Sequence, residues 1–135
     1  MIRMNENANV RPTSEAKGYL DTLTHNSTFS TMIDAYAFAA AFAMRTDLDP
    51  ESDSLRGRSD LVAVRVLDNE VRLALECSIA AIRKHKGLEA LIDSAAVLEQ
   101  VTRYAEVGLR ALKQRWDGKT SPQILYDIKN LLADG

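Results

Sequence analysis

Between residues 2 and 11 the sequence "IRMNENANVR" places polar side chains at every odd position: Arg3, Asn5, Asn7, Asn9 and Arg11. The even positions, Ile2, Met4, Glu6, Ala8 and Val10, are drier, with Glu6 the exception. A period of two is the mark of an extended strand with one wet and one dry face. The wet side chains suit one chemistry in particular. Asparagine pairs bidentately with adenine and arginine with guanine along the base edges of a DNA major groove.

Other chemistry is thinner. His25 sits in a turn and His85 in the basic run Arg83-Lys84-His85-Lys86, and neither has a partner at metal or triad spacing. Both read as solvated side chains. The sequence contains no Gly-rich phosphate loop, no G-x-S-x-G elbow and no HExxH, so no catalytic residue, metal ligand or cofactor is expected. The carboxylates of residues 45–60 read as a solvated acidic loop. Cys77, the single cysteine, excludes an internal disulfide and points to a reducing cytoplasm. Beside Leu75, Ile79 and Ala80 it reads as a buried, inert thiol.

The net charge of −2 gives no electrostatic grip on nucleic acid over the whole chain. The balance shifts along it, however. Residues 45–70 hold four basic and seven acidic side chains, residues 71–119 nine basic and six acidic. Arg83, Lys84 and Lys86 with Arg103, Arg110, Lys113, Arg115 and Lys119 are therefore candidates for a secondary phosphate-contacting face.

These side chains must be positioned by helices. Eighteen alanines and sixteen leucines against six glycines and three prolines favour a mainly α fold, and 135 residues suffice for one domain. Pro12 ends the strand, and Thr13 or Ser14 caps a first helix with Ala16, Tyr19, Leu20 and Leu23 on one face. "THNSTFS" is a turn, after which Ser30 or Thr31 caps a second helix to Met44, stapled by Phe29. Its run "AYAFAAAFAM" is apolar almost all round, about half a membrane span, and needs cover inside the protein or from a second subunit. Residues 45–60 form a polar loop, the segment most suited to mobility. "LVAVRVL" (61–67) suits a short strand or the lead into a helix. Asp68 caps a third helix, about 69–86, carrying Val71, Leu75, Ile79 and Ile82 and stopped by Gly87. A fourth runs from about Ser94 to Trp116 and is buried through Val97, Val101, Tyr104, Leu109 and Leu112, with Gly108 inviting a close neighbour. Ser121-Pro122 opens a fifth, with Ile124, Leu125, Ile128, Leu131 and Leu132. The N-terminus has no apolar core of a signal peptide, so a cytoplasmic chain is expected.

The order strand, helix, short turn, helix over residues 1–44 is similar to the ribbon-helix-helix fold of bacterial repressors. That resemblance implies two chains pairing their N-terminal strands as a ribbon in the major groove. Arg3, Asn5, Asn7, Asn9 and Arg11 would contact DNA, and the turn with Thr28, Ser30 and Thr31 would hold a phosphate at a helix N-terminus. The blocks "VRPTSEAKGYLDTL", "FSTMIDAYAFAAAFAMR" and "YAEVGLRAL" also resemble a small accessory family encoded beside bacterial DNA phosphorothioation (Dnd) defence genes. This second resemblance implies a non-enzymatic protein working with a DNA-modification or restriction system. The expectation is thus a single helical domain of about five helices with a short N-terminal strand. It has a ribbon-helix-helix-like part at 1–44, a loop at 45–60 and a helical part at 61–135. The expected role is DNA-binding accessory or regulator, at least dimeric, without membrane contact. The alternative is an interaction subunit that bridges larger defence proteins and leaves DNA alone.

Overall fold

The computed structural model describes residues 1–52 and 55–133. The chain is mainly helical, with five α-helices and one short antiparallel sheet among the described residues. Strand β1 (Asn9–Val10) leads to α1 (Ser14–His25) and α2 (Met32–Arg45). Strand β2 (Val62–Ala63) and one 3₁₀ turn (Val64–Val66) then precede α3 (Asn69–His85), α4 (Ser94–Arg115) and α5 (Ser121–Ala133). No helix among the described residues is long and apolar enough to cross a membrane.

The helix starts follow side-chain chemistry. Thr13, Thr31, Asp68 and Asp93 each accept a hydrogen bond from a backbone N–H in the first turn, so the threonines cap α1 and α2, not Ser14 and Ser30. At α5 the cap is one residue earlier than expected. Thr120 Oγ1 accepts from the Gln123 N–H, and Gln123 Oε1 accepts from the Thr120 N–H, a capping box that puts Ser121 inside the helix. Gly87, at φ +71°, ends α3 in the left-handed conformation glycine tolerates.

Helix α2 is the centre of the molecule. It packs most extensively on α4, and on α1 and α3 as well. Ile33, Ala35, Tyr36, Ala37, Ala39, Ala40, Ala43 and Met44 are buried, while Phe38 and Phe42 are partly so. Cover for the apolar run therefore comes from the chain's own helices, and the run by itself requires no second subunit. The close neighbour of Gly108 is the α2 backbone at Ala39, with the Ala43 methyl beside it.

The N-terminal segment differs from a strand that waits for a second chain. β1 pairs with β2 of the same chain, with Asn9 opposite Ala63 and Val10 opposite Val62. The pairing extends beyond the two strands: Ser59, Leu61, Val64 and Arg65 donate N–H bonds to the carbonyls of Pro12, Val10, Ala8 and Glu6. Edge groups that a dimer would have satisfied are met within the chain. Residues 5–8 are a turn, closed by the Ala8 N–H on the Asn5 carbonyl, with Asn5 Oδ1 accepting from the Asn7 N–H. Met4 and Val10 still point inward, as the alternation demands.

Two expectations for α3 are corrected. Cys77 is exposed, because α3 packs through Leu75 and Ile79 and position 77 lies about 200° around the helix from 75. Val71 is likewise largely outward. The 45–60 segment, apart from residues 53 and 54, which lie outside the described residues, is a loop that carries ion pairs to the C-terminal end of α3 and to α4. Lys86 meets Asp47 at 2.8 Å, Arg58 meets Glu99 at 3.0 Å, and Arg103 meets Glu51 at 3.5 Å. Arg58 also donates to the Arg11 carbonyl at 3.2 Å.

Candidate functional site

Four places have the makings of a site, and the first is the face predicted to read DNA. Arg3, Asn5, Asn7, Asn9 and Arg11 are all exposed, but four of these side chains are spent on distant parts of the chain. Arg3 Nε donates to Glu76 Oε1 at 2.7 Å, and the same carboxylate takes the Met4 N–H through Oε2 at 2.7 Å. Asn7 Oδ1 accepts from Arg65 at 3.2 Å. Asp60 holds both Asn9 Nδ2, at 3.2 Å, and Arg11 Nε, at 3.0 Å. Glu6, the misfit of the dry set, faces out and pairs with the Arg72 guanidinium at 3.1 Å. A DNA phosphate approaching this face meets Glu6 and Asp60 among the cations, which cancels much of the attraction.

Among the described residues no hydrogen bond or ion pair joins the turn before α2 to these side chains. Thr28 is buried, its hydroxyl bonded to Asn26 Oδ1 at 2.6 Å and its N–H to the Leu23 carbonyl at 3.0 Å. The Phe29 N–H also goes to the Leu23 carbonyl. Ser30 and Thr31 are exposed, with the Thr31 hydroxyl engaged in capping. Two N–H groups that a phosphate would use are thus already satisfied. The α4 part of the candidate phosphate face is also largely neutralised. Arg103 pairs with Glu99 and Glu51, Arg110 with Glu15, Arg115 with Asp127, while Lys113 lies over the Tyr19 ring. His85 is exposed, and His25 lies open beside Asp21.

The second place is the buried carboxylate of Glu106. It accepts from Thr13 Oγ1 at 2.6 Å, from the Thr13 N–H at 3.3 Å and from the Tyr36 hydroxyl at 3.0 Å. Burial first, then the carboxylate beside it, pushes the Tyr36 phenol well above its ordinary value. Both oxygens of this group are used in joining the N-cap of α1 and helix α2 to α4, so it acts as a structural hub. Among the described residues no group of three or more His, Cys, Asp or Glu side chains is placed to hold a metal ion.

The third place is helix α5. Ile124 buries one side of it, and Asp127 fastens it: Arg115 donates to the two carboxylate oxygens at 2.7 and 2.9 Å, and Trp116 Nε1 adds a bond at 2.8 Å. Arg45 also donates to the Leu131 carbonyl at 3.0 Å. Leu125, Tyr126 and Leu132 remain outward, at 46%, 67% and 65% exposure, although apolar residues of this size prefer burial. Beside them a crevice of about 180 Å³ opens between Phe38 and Phe42 of α2 and Leu131 and Leu132.

The fourth is a larger apolar cleft of about 280 Å³ between the N-terminal arm, α3 and the start of α4. Sequence reasoning missed both apolar surfaces. A hint for α5 was present: five large apolar residues in one short terminal helix exceed what a single packed stripe needs. The carboxylates Glu76 and Glu106 carried a signal too, since each interrupts a helix face otherwise made of core residues. Compared with protein-family models, curated proteins and solved structures, the chain matches none.

Proposed function

We propose that the protein is a non-enzymatic interaction subunit, which joins larger proteins and does not read DNA sequence. The observation that carries this reading is the outward apolar face of α5. A helix fastened by a bidentate ion pair holds Leu125, Tyr126 and Leu132 toward solvent, a rigid surface of the aromatic and aliphatic kind that anchors interfaces. Self-association, if the chain is an oligomer, also falls to this face, because α2 is covered from within. The resemblance to the Dnd-associated family supplies the proposed setting, a bacterial defence complex.

DNA binding is the second reading, favoured by one observation. β1 and β2 form a two-stranded antiparallel ribbon within one chain, with Asn9 and Arg11 exposed at it and Asn5 and Asn7 exposed in the turn before it. Two measurements separate the readings. A photo-crosslinker at position 126, used in the cells that make the protein, is expected to capture a second protein chain, and one at exposed Glu70 is not. A gel-shift titration is expected to show no retarded DNA. Retardation that falls linearly in log salt, with no crosslink from position 126, would reverse the order.

A further inference from the structure

The cleft beside the N-terminal arm has a composition unlike the rest of the surface. Its walls are aliphatic, with Ile2, Ile79, Ala80, Leu88, Leu91 and Val97 along it and no aromatic ring. Three charged residues border these walls: Glu76, Arg83 and Lys84. The Glu76 side chain is only 1% exposed, and its two oxygens are taken by Arg3 and the Met4 N–H, so its charge is answered inside the fold. The cations have no such answer. Arg83 donates through Nε to the neutral Glu89 carbonyl at 2.8 Å and forms no ion pair among the described residues. The Lys84 ammonium forms neither a hydrogen bond nor an ion pair among them. An apolar trough thus opens beside two uncompensated positive charges.

We infer that this cleft binds a free aliphatic carboxylate of medium chain length. The alkyl chain lies along Ile79, Leu91 and Val97, and the carboxylate meets Lys84 and Arg83. Three arguments select that ligand. The volume, about 280 Å³, is near the lower end for small-molecule pockets. Aliphatic walls gain from any alkyl chain through burial but offer no ring to stack on. Opposite charge at the mouth favours an anion over a neutral chain of equal length. The salt link of Arg3 to Glu76 holds Met1 and Ile2 as the remaining wall, so the N-terminal arm is a binding element here. This site is separate from the α5 face, and neither reading depends on the other.

Octanoate and its neutral match octanol are the probes, titrated into the full chain and followed through backbone amide resonances by two-dimensional NMR. Octanoate is expected to saturate, with the largest shifts along 79–84 and 88–97. Octanol is expected to bind about tenfold more weakly, the effect of one charge-assisted contact. Lys84→Glu should lower octanoate affinity by a similar factor and leave octanol unchanged. Ala80→Trp, at an exposed position, should fill the trough and abolish both. Non-saturable shifts for octanoate, equal affinity for acid and alcohol, or an Ala80→Trp variant that is folded and binds as the parent would each overturn the proposal. Should Ala80→Trp fail to fold, the contrast between octanoate and octanol decides alone.

Discussion

Gly108 of α4 faces the backbone carbonyl of Ala39 in α2 with no room for a methyl group between them. The contact lies in the most extensive helix pair of the molecule, and the obstacle is main chain, which cannot rotate away. Two effects of a Gly108→Ala change therefore oppose each other. Helix propensity gains about 1 kcal/mol, since glycine is poor inside a helix. Overpacking against a backbone this close falls in the upper part of the usual range, a loss of about 2–3 kcal/mol, and forces α2 and α4 apart. The expected outcome is net destabilisation of about 1–2 kcal/mol, read as a lower midpoint in urea. Equal or higher stability would mean that the two helices are not this close.

Glu106 gives a prediction of the opposite kind, about removal. Glu106→Ala leaves the Thr13 hydroxyl, the Thr13 N–H and the Tyr36 hydroxyl without their acceptor inside the protein. Each unmatched buried group costs about 1–3 kcal/mol, so a loss of about 3 kcal/mol or more is expected. Glu106→Gln keeps one acceptor oxygen and should lose less. Thermal unfolding of the two variants checks the order, and an alanine variant as stable as the parent would show that water reaches these groups.

Local patterns in the sequence expose most of the helical frame. Ala16, Leu20 and Leu23, and Val97, Val101, Tyr104, Leu109 and Leu112, all sit in the core as their spacing demands. What stayed hidden is non-local. Nothing near Val10 says that Val62 is its partner, because the two strands are far apart in sequence and meet only through the shared core. The asparagines and arginines of the N-terminal segment have types that fit base edges, but the same types fit carboxylates and carbonyls. Glu76 and Asp60 reach them first. Cys77 illustrates a local error: its neighbours are apolar, yet its angle on α3 turns it away from the face they share with Ile79.

Acid should loosen α5. The hydrogen bonds from Arg115, joined by that of Trp116, bring the Asp127 carboxyl from the usual 3.8 down to about 2. A carboxyl whose value is lower in the folded state adds stability that is fully present above its unfolded value. That contribution is lost as pH falls from about 4 through about 2. Trp116 reports the change directly, since its indole N–H bonds the same carboxylate. Trp116 fluorescence should therefore shift over this interval in the parent and not in Asp127→Asn. An identical acid transition in both would place its origin elsewhere.

The odd and even positions of the N-terminal segment should separate cleanly. Val10 is 3% exposed and pairs with Val62, so Val10→Asp buries an unpaired charge and is expected to lose about 3 kcal/mol or more. Asn9 is exposed, and Asn9→Ala removes only a surface bond to Asp60, with an expected loss of about 0.5 kcal/mol or less. Denaturant titration measures both. DNA retardation then tests function on a variant whose fold is intact. If β1 is structural, Asn9→Ala changes nothing in a gel shift, because the parent binds no preferred site. If the ribbon reads DNA, Asn7→Ala and Asn9→Ala each weaken a preferred site by about 1–3 kcal/mol and random DNA by less. The present geometry favours the first outcome, since Arg65 and Asp60 already hold the groups that would have to reach the bases.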